Sequence, residues 1–337
     1  MGLRVFLIAF AAATIAAAAP AAPLEGARGD LLRRVERLEA EKRAGVAGRD
    51  GWFFSTSELR AYGVGQFWGE HAAAVSRAPK DQDPLVTLVA FHEMLRAAGI
   101  SLILVPVPGK VVLLPDELDP PLKVDGRLDA AHAEFYDRLR KAGIEVVDLY
   151  DAFRSLRGAG TPPYCKQDTH WSPQGLRRAA ASIAALIRDE RWYADARKGA
   201  ATMTPLAVEA RGDIVGTLLK DPSAAPERLT LDQVRIDGQW VDTDTKSPVV
   251  LMGDSHTLVF HRPDLLGEHA GLSDHLAAEL GFPVDLVGVM AGGANASRMV
   301  LARRRDNLAG KKVVVWVFRA SEFSETDEGW RAIPVIR

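Results

Sequence analysis

The 337-residue chain contains one cysteine, Cys165, so no disulfide can form within it and packing must supply its stability. It has almost no net charge: 42 basic side chains against 44 acidic leave −2 at pH 7. That balance excludes a protein that coats polyanions through a global positive field, a nonspecific nucleic-acid binder above all. There is no internal repeat and no low-complexity stretch, which excludes collagen-like rods and disorder as the whole story. Long apolar runs are missing too, apart from one at the start. What remains is a composition, 47% hydrophobic and 26% charged, that can build a large buried core.

Arg4 precedes Val5 to Ala19, 15 residues without a charge. This is short for a helix crossing a roughly 30 Å hydrocarbon layer. One positive charge, an apolar middle and small residues around Ala19-Pro20-Ala21 form the pattern of a secretory signal, with cleavage expected after Ala21. An uncleaved anchor is the alternative, because the Ala16–Pro23 stretch offers no single clean site. Residues 1–21 therefore imply an exported, periplasmic protein, tethered to the inner membrane if the segment stays. Leu31, Leu32, Val35 and Leu38 recur at helical spacing in a charged stretch, so residues 22–47 are expected to form a helical spacer, either packed on the domain or holding it away from the membrane. Residues 48–337 are expected to form one domain.

From Asp83 onward helix and strand signals alternate. Asp83-Pro84 starts a helix that ends near Gly99. Ser101–Val107 is a continuous apolar run, the mark of a strand covered on both faces. A helix over about 128–142 feeds a strand at Ile144–Leu149, and another helix spans about Pro173 to Arg188. Some fifty less regular residues follow. Pro248–Met252, Val284–Val289 and Lys312–Val317 are three more buried-type strands, with helices before and after the second. This order predicts an α/β fold: a three-layer α/β/α sandwich around a mainly parallel sheet.

In such sheets reactive groups gather in loops beyond the carboxyl ends of the strands. Two loops stand out. In Asp168-Thr169-His170-Trp171-Ser172-Pro173, Ser172 can cap a helix and Pro173 suits its first turn. His170 then lies at a helix entrance, with Asp168 placed to hold its imidazole in one tautomer. In Gly253-Asp254-Ser255-His256, a buried strand ends at a glycine that permits a sharp turn, and Ser255 emerges just beyond it. A serine needs a base to become a nucleophile, and His170 is the candidate. Since 85 positions separate the two, their pairing is a claim about the fold.

At these residues the chain resembles the alginate O-acetyltransferase (AlgJ/AlgX-like) family of bacterial exopolysaccharide systems, within the SGNH-hydrolase superfamily. The matching pieces, in family order, are Asp50-Gly51-Trp52-Phe53-Phe54, Pro106-Val107-Pro108-Gly109-Lys110 with Leu114-Pro115, the Asp168–Pro173 loop, Arg211-Gly212-Asp213-Ile214 and Gly253-Asp254-Ser255. The resemblance implies a flavodoxin-like, SGNH-hydrolase-like fold with permuted motif order, the Asp/His pair preceding the serine. It implies a triad of Asp168 as orienter, His170 as base and Ser255 as nucleophile, with no cofactor and no metal. The activity implied is transfer of acetyl, through acetyl-serine, onto hydroxyls of an exopolysaccharide or cell-wall polysaccharide. The partners implied are the polysaccharide acceptor, a membrane-bound O-acyltransferase that delivers acetyl, and other export proteins; nucleic acid is not among them. The oxyanion asparagine of ordinary SGNH enzymes has no secure counterpart. The backbone N–H groups of Gly292, Gly293 and Asn295 are candidates for that role, Arg319 is a further site candidate, and Trp171 is a candidate for stacking on sugar.

Other readings compete. With water as acceptor the same triad makes a carbohydrate acetylesterase. Asp168/His170 and Asp254/His256 form two D-x-H pairs that can be read as a metal-dependent phosphoesterase site, although further ligands are wanting. A non-catalytic scaffold of a polysaccharide-export machine is a third alternative. Cys165 reads as a buried filler, Trp52, Trp68 and Trp240 as core packing, and Asn295-Ala296-Ser297 as a chance glycosylation triplet.

Overall fold

A computed structural model describes residues 26–337. The predicted leader, residues 1–21, lies outside the described residues. Among those described, no helix is long and apolar enough to cross a membrane. The strands in chain order are β1 (Gly45–Ala47), β2 (Phe53–Ser55), β3 (Ser101–Val107), β4 (Glu145–Val146), β5 (Ala201–Ala210), β6 (Glu227–Ile236), β7 (Gln239–Trp240), β8 (Val249–Gly253), β9 (Asp285–Gly288) and β10 (Val313–Arg319).

The central sheet has five parallel strands in the order β4-β3-β10-β8-β9. Period-two alternation divides each inner strand between two apolar layers. Ile103, Val105, Leu251, Val315 and Val317 enter one layer, while Leu102, Leu104, Met252, Val314 and Trp316 enter the other. A strand apolar on both faces must be roofed on both faces, and helices provide the roofs. The result is the three-layer α/β/α sandwich. The run from Ile144 to Leu149 pairs only over Glu145–Val146, because β4 is an edge strand that meets β3 at Ile103 and Leu104 alone.

Helix Ala27–Ala40 buries Leu31, Val35 and Leu38 in the same core as Phe54 and Leu59, so the stretch predicted as a spacer packs on the domain. The fifty residues read as irregular contain an antiparallel sheet, β5-β6-β7. The first half of β5 is exposed on both faces, so burial leaves no hydrophobic pattern there to read. Its second turn did leave a signal: Asp237-Gly238, with φ of 49° and 77°, forms the two-residue connection between β6 and β7.

Candidate active site

Strand β8 is buried throughout and lies between β10 and β9. At its carboxyl end a side chain on Gly253 would meet the Val317 carbonyl oxygen at 1.9 Å, so only glycine lets β8 turn away beside β10. Asp254 then accepts the backbone N–H of His256 at 2.9 Å and of Arg319 at 2.9 Å, which fixes the turn. Ser255 opens a single 3₁₀ turn and is the residue of this loop left partly exposed.

The second loop joins helix Tyr150–Gly158 to helix Pro173–Arg188. Ser172 caps the latter, its Oγ accepting the Gly175 N–H at 3.1 Å. A bridge between Tyr164 and Trp171 folds the loop back on itself and presents His170 towards the sheet. Asp168 Oδ1 accepts the His170 backbone N–H at 2.9 Å and lies 2.5 Å from its Nδ1. His170 Nε2 lies 2.7 Å from Ser255 Oγ. Tertiary folding therefore joins the two loops into a continuous carboxylate–imidazole–hydroxyl chain.

Two segments that carry no nucleophile build this loop. Asp213 takes Thr169 N–H at 2.7 Å and Thr169 Oγ–H at 2.5 Å, while its own N–H donates to Asp168 Oδ2 at 2.7 Å. Gly212 permits the approach, since a side chain there would strike the Gln167 carbonyl at 2.3 Å. Beneath the loop, the fully buried Lys110 donates to the carbonyls of Phe53 at 2.9 Å and Lys166 at 3.1 Å. Lys110 thus ties the Phe53 and Pro106–Lys110 segments to the loop that carries Asp168.

Charge explains the poise of the site. Burial depresses the His170 pKa, but the Asp168 carboxylate and its hydrogen bond, then Asp213 and Asp254, outweigh it and hold His170 up at about 9. Burial likewise opposes the charge on Asp168, yet the facing imidazolium and three N–H bonds keep it well below the ordinary carboxylate range. Burial, with Asp168 alongside, pushes Asp213 upward. A hydroxyl set against an oriented imidazole in this way can be deprotonated and attack an acyl carbon. The Ser255 backbone N–H, with no hydrogen-bond acceptor among the described residues, can receive the oxyanion.

The family model described as "SGNH hydrolase-like domain, acetyltransferase AlgX" matches residues 46–320. The chain belongs to this family. It is 28% identical over 185 residues to the probable alginate O-acetylase AlgJ of Pseudomonas aeruginosa, covering 54% of this chain and 43% of that protein. The chain spans about half the length of the curated relatives it matches. The O-acetyltransferase domain of Pseudomonas putida AlgJ superposes with a TM-score of 0.64 at 21% identity, over 85% of this chain and 94% of that domain. Pseudomonas aeruginosa AlgX superposes with a TM-score of 0.64 at 18% identity, over 86% of this chain and 66% of that one. The shared fold is the SGNH-like sandwich predicted from the sequence.

Several candidate residues of this AlgX-type domain lie elsewhere than expected. Trp171 is fully buried and meets the His256 ring edge-on at 5.2 Å, so it packs beneath the site and offers no face to a sugar. Asn295 is buried, its amide donating to the Gly329 carbonyl at 2.8 Å and its oxygen accepting from Arg298 at 2.8 Å. Those bonds pin the C-terminal segment and occupy the Asn295 side-chain amide; burial of Asn295 and Ser297 also closes the glycosylation triplet. The Gly292 N–H donates to the Val289 carbonyl, and Gly293 faces Glu322, whose carboxylate would lie 2.8 Å from a side chain placed there. The Gly292 N–H and the Asn295 side chain are therefore committed at the start of helix Gly293–Arg304.

Arg319 does reach the site rim, half-exposed, its guanidinium held by Glu322. Trp52 and Trp68 are buried, and Trp240 is sandwiched between Arg235 and His269. Cys165 is buried, and burial pushes its thiol pKa far up. Asp168, His170 and Asp213 bring potential ligand atoms within 4.8 Å of one another. Each of those nitrogens and oxygens already carries a protein hydrogen bond, a donor set committed to positioning rather than to an ion. Sequence reasoning missed Asp213, Lys110 and Thr169 as site builders; the Arg211–Ile214 and Pro106–Lys110 pieces were their signal.

Proposed function

We propose that this protein is an exported O-acetyltransferase that carries acetyl on Ser255 and delivers it to a hydroxyl of an exopolysaccharide. His170 Nε2 takes the Ser255 proton as Oγ attacks the acetyl carbonyl of the donor. The oxyanion collapses, the leaving group departs with the proton from His170, and acetyl-serine remains. An acceptor hydroxyl then gives its proton to His170 as its oxygen attacks the same carbonyl. Ser255 leaves and regains the proton, so atoms and charge balance over the cycle. Asp168 keeps the imidazole in the productive tautomer and stabilises its charged form throughout.

The observation that carries this reading is the 2.7 Å approach of His170 to Ser255 within an AlgX-type acetyltransferase domain. The alginate O-acetylases among the relatives support a polysaccharide acceptor. Ser255 is partly open to water, and with water as acceptor the same steps release acetate. The test is incubation with 4-nitrophenyl acetate with and without oligosaccharides, comparing wild type with Ser255→Ala. Acetylated sugar from wild type alone is expected. Transfer that survives in a folded Ser255→Ala protein sinks the assignment, and acetate without acetylated sugar makes the protein an esterase.

A further inference from the structure

Two Asp-x-His turns flank Ser255, and the proposed transfer uses only one of them. Asp254 Oδ1 accepts the His256 backbone N–H at 2.9 Å and lies 3.0 Å from its Nδ1, the same arrangement by which Asp168 holds His170. The carboxylate keeps the His256 proton on Nδ1 and leaves Nε2 as an acceptor. Among the described residues no protein donor reaches that Nε2. The two imidazole rings lie 4.6 Å apart. Burial lowers the His256 pKa; Asp254 opposes this, while His170 and Arg319 reinforce it, so the ring is neutral at pH 7.

His256 forms one wall of a small cavity at the carboxyl ends of β3 and β10. Glu58, Ser57, Thr169, Arg319 and Ser321 contribute to the others. About 20 Å³ is open to a water-sized sphere, which admits one oxygen atom and excludes a sugar ring. A neutral imidazole acceptor, a guanidinium donor and hydroxyls are complementary to an incoming hydroxyl, which donates one hydrogen bond and accepts others. His256 lines the cavity and its ring lies 4.6 Å from that of His170, so the cavity sits beside the base. Glu58 enters from helix Thr56–Gly63, its Oε1 taking the Val111 N–H at 2.8 Å, and burial raises its pKa to about 7.

We propose that this cavity is an acceptor subsite: it seats one hydroxyl of a carbohydrate, held by His256 Nε2 and Arg319, so that a neighbouring hydroxyl of the same ring faces the acetyl-serine. His256 is then a specificity residue, and it makes and breaks no covalent bond. Water or a simple alcohol has no second hydroxyl to place in the cavity and gains nothing from it. The inference rests on Ser255 being the nucleophile.

The test uses the full chain, 4-nitrophenyl acetate as donor, and two acceptors: an alginate tetrasaccharide, rich in vicinal hydroxyls, and ethanol. The ratio of transfer to hydrolysis is read for each acceptor, and labelling of Ser255 by a sulfonyl fluoride is read separately. In His256→Gln the tetrasaccharide ratio is expected to fall about tenfold, the scale of one lost hydrogen bond, and the ethanol ratio by less than about twofold. Arg319→Gln, which removes the other group proposed to hold the seated hydroxyl, is expected to act in the same direction and carries the test if His256→Gln fails to fold. Equal falls for both acceptors, an unchanged tetrasaccharide ratio, or loss of sulfonyl labelling in folded His256→Gln overturns the subsite. A wild type that takes the label yet prefers neither acceptor also overturns it and leaves the nucleophile standing. A wild type that takes no label at all counts against Ser255 itself.

Discussion

Replacing Asp213 by Asn is expected to shift the pH dependence of acylation towards acid by about one to two units. The base must be unprotonated to accept the Ser255 proton, and the surrounding carboxylates hold His170 up at about 9. Wild-type acylation should therefore rise with unit slope through neutral pH and level off near pH 9. Potential ligand atoms of Asp213, Asp168 and His170 fall within 4.8 Å of one another. Across an effective dielectric constant of about 20, a unit charge at that range interacts with another by about 3 kcal/mol, or about two pKa units. That is an upper bound, because burial and Asp168 bias Asp213 towards its own neutral form. Asparagine preserves the shape of the clamp: its oxygen takes the Thr169 N–H, and its amide donates to the hydroxyl. The assay is kcat/KM for 4-nitrophenyl acetate between about pH 5.5 and 10, corrected for spontaneous hydrolysis. A folded pKa above the unfolded value near 6.5 means that His170 stabilises the fold fully below about pH 6.5 and loses this as pH climbs through about 9. Denaturant midpoints should show the same alkaline loss, smaller in the variant. A limb that does not move in Asp213→Asn, or a wild-type limb already near 6.5, refutes the role given to these charges.

Two further substitutions test how the site is built. Gly253→Ala places a methyl group 1.9 Å from the Val317 carbonyl oxygen, so β8 and β10 must part; a loss of about 3 kcal/mol or more is expected in chemical denaturation. Lys110→Met removes the buried ammonium from the carbonyls of Phe53 and Lys166 and should cost about 2–4 kcal/mol, with sulfonyl labelling of Ser255 falling as the Asp168 loop loosens. Retention of full labelling in Lys110→Met would separate Lys110 from the site.

The parallel core was legible because its strands are apolar on both faces: Ser101–Val107 and the run ending at Val317 needed no tertiary information to be read as strands. Ser172-Pro173 announced a helix start that the Ser172–Gly175 bond now accounts for. The β5–β7 sheet was not legible, because a strand exposed on both faces carries no burial pattern. Trp171 and Asn295 misled for a related reason. Aromatic and amide side chains suit either a ligand or a packed interior, and only their neighbours decide which.

Sequence by itself determined the elements, the two loops and the chemistry each can perform, because periodicity, capping and side-chain type are local properties. Only the tertiary structure decided that residues 85 positions apart meet at 2.7 Å. It also decided that Asp213 and Lys110 brace the loop between them, and that a second Asp–His pair faces a cavity of its own. Those are long-range contacts, and their closure depends on how the layers pack. The missing disulfides find their physical counterpart there: buried hydrogen bonds between distant segments hold the site in place of covalent links.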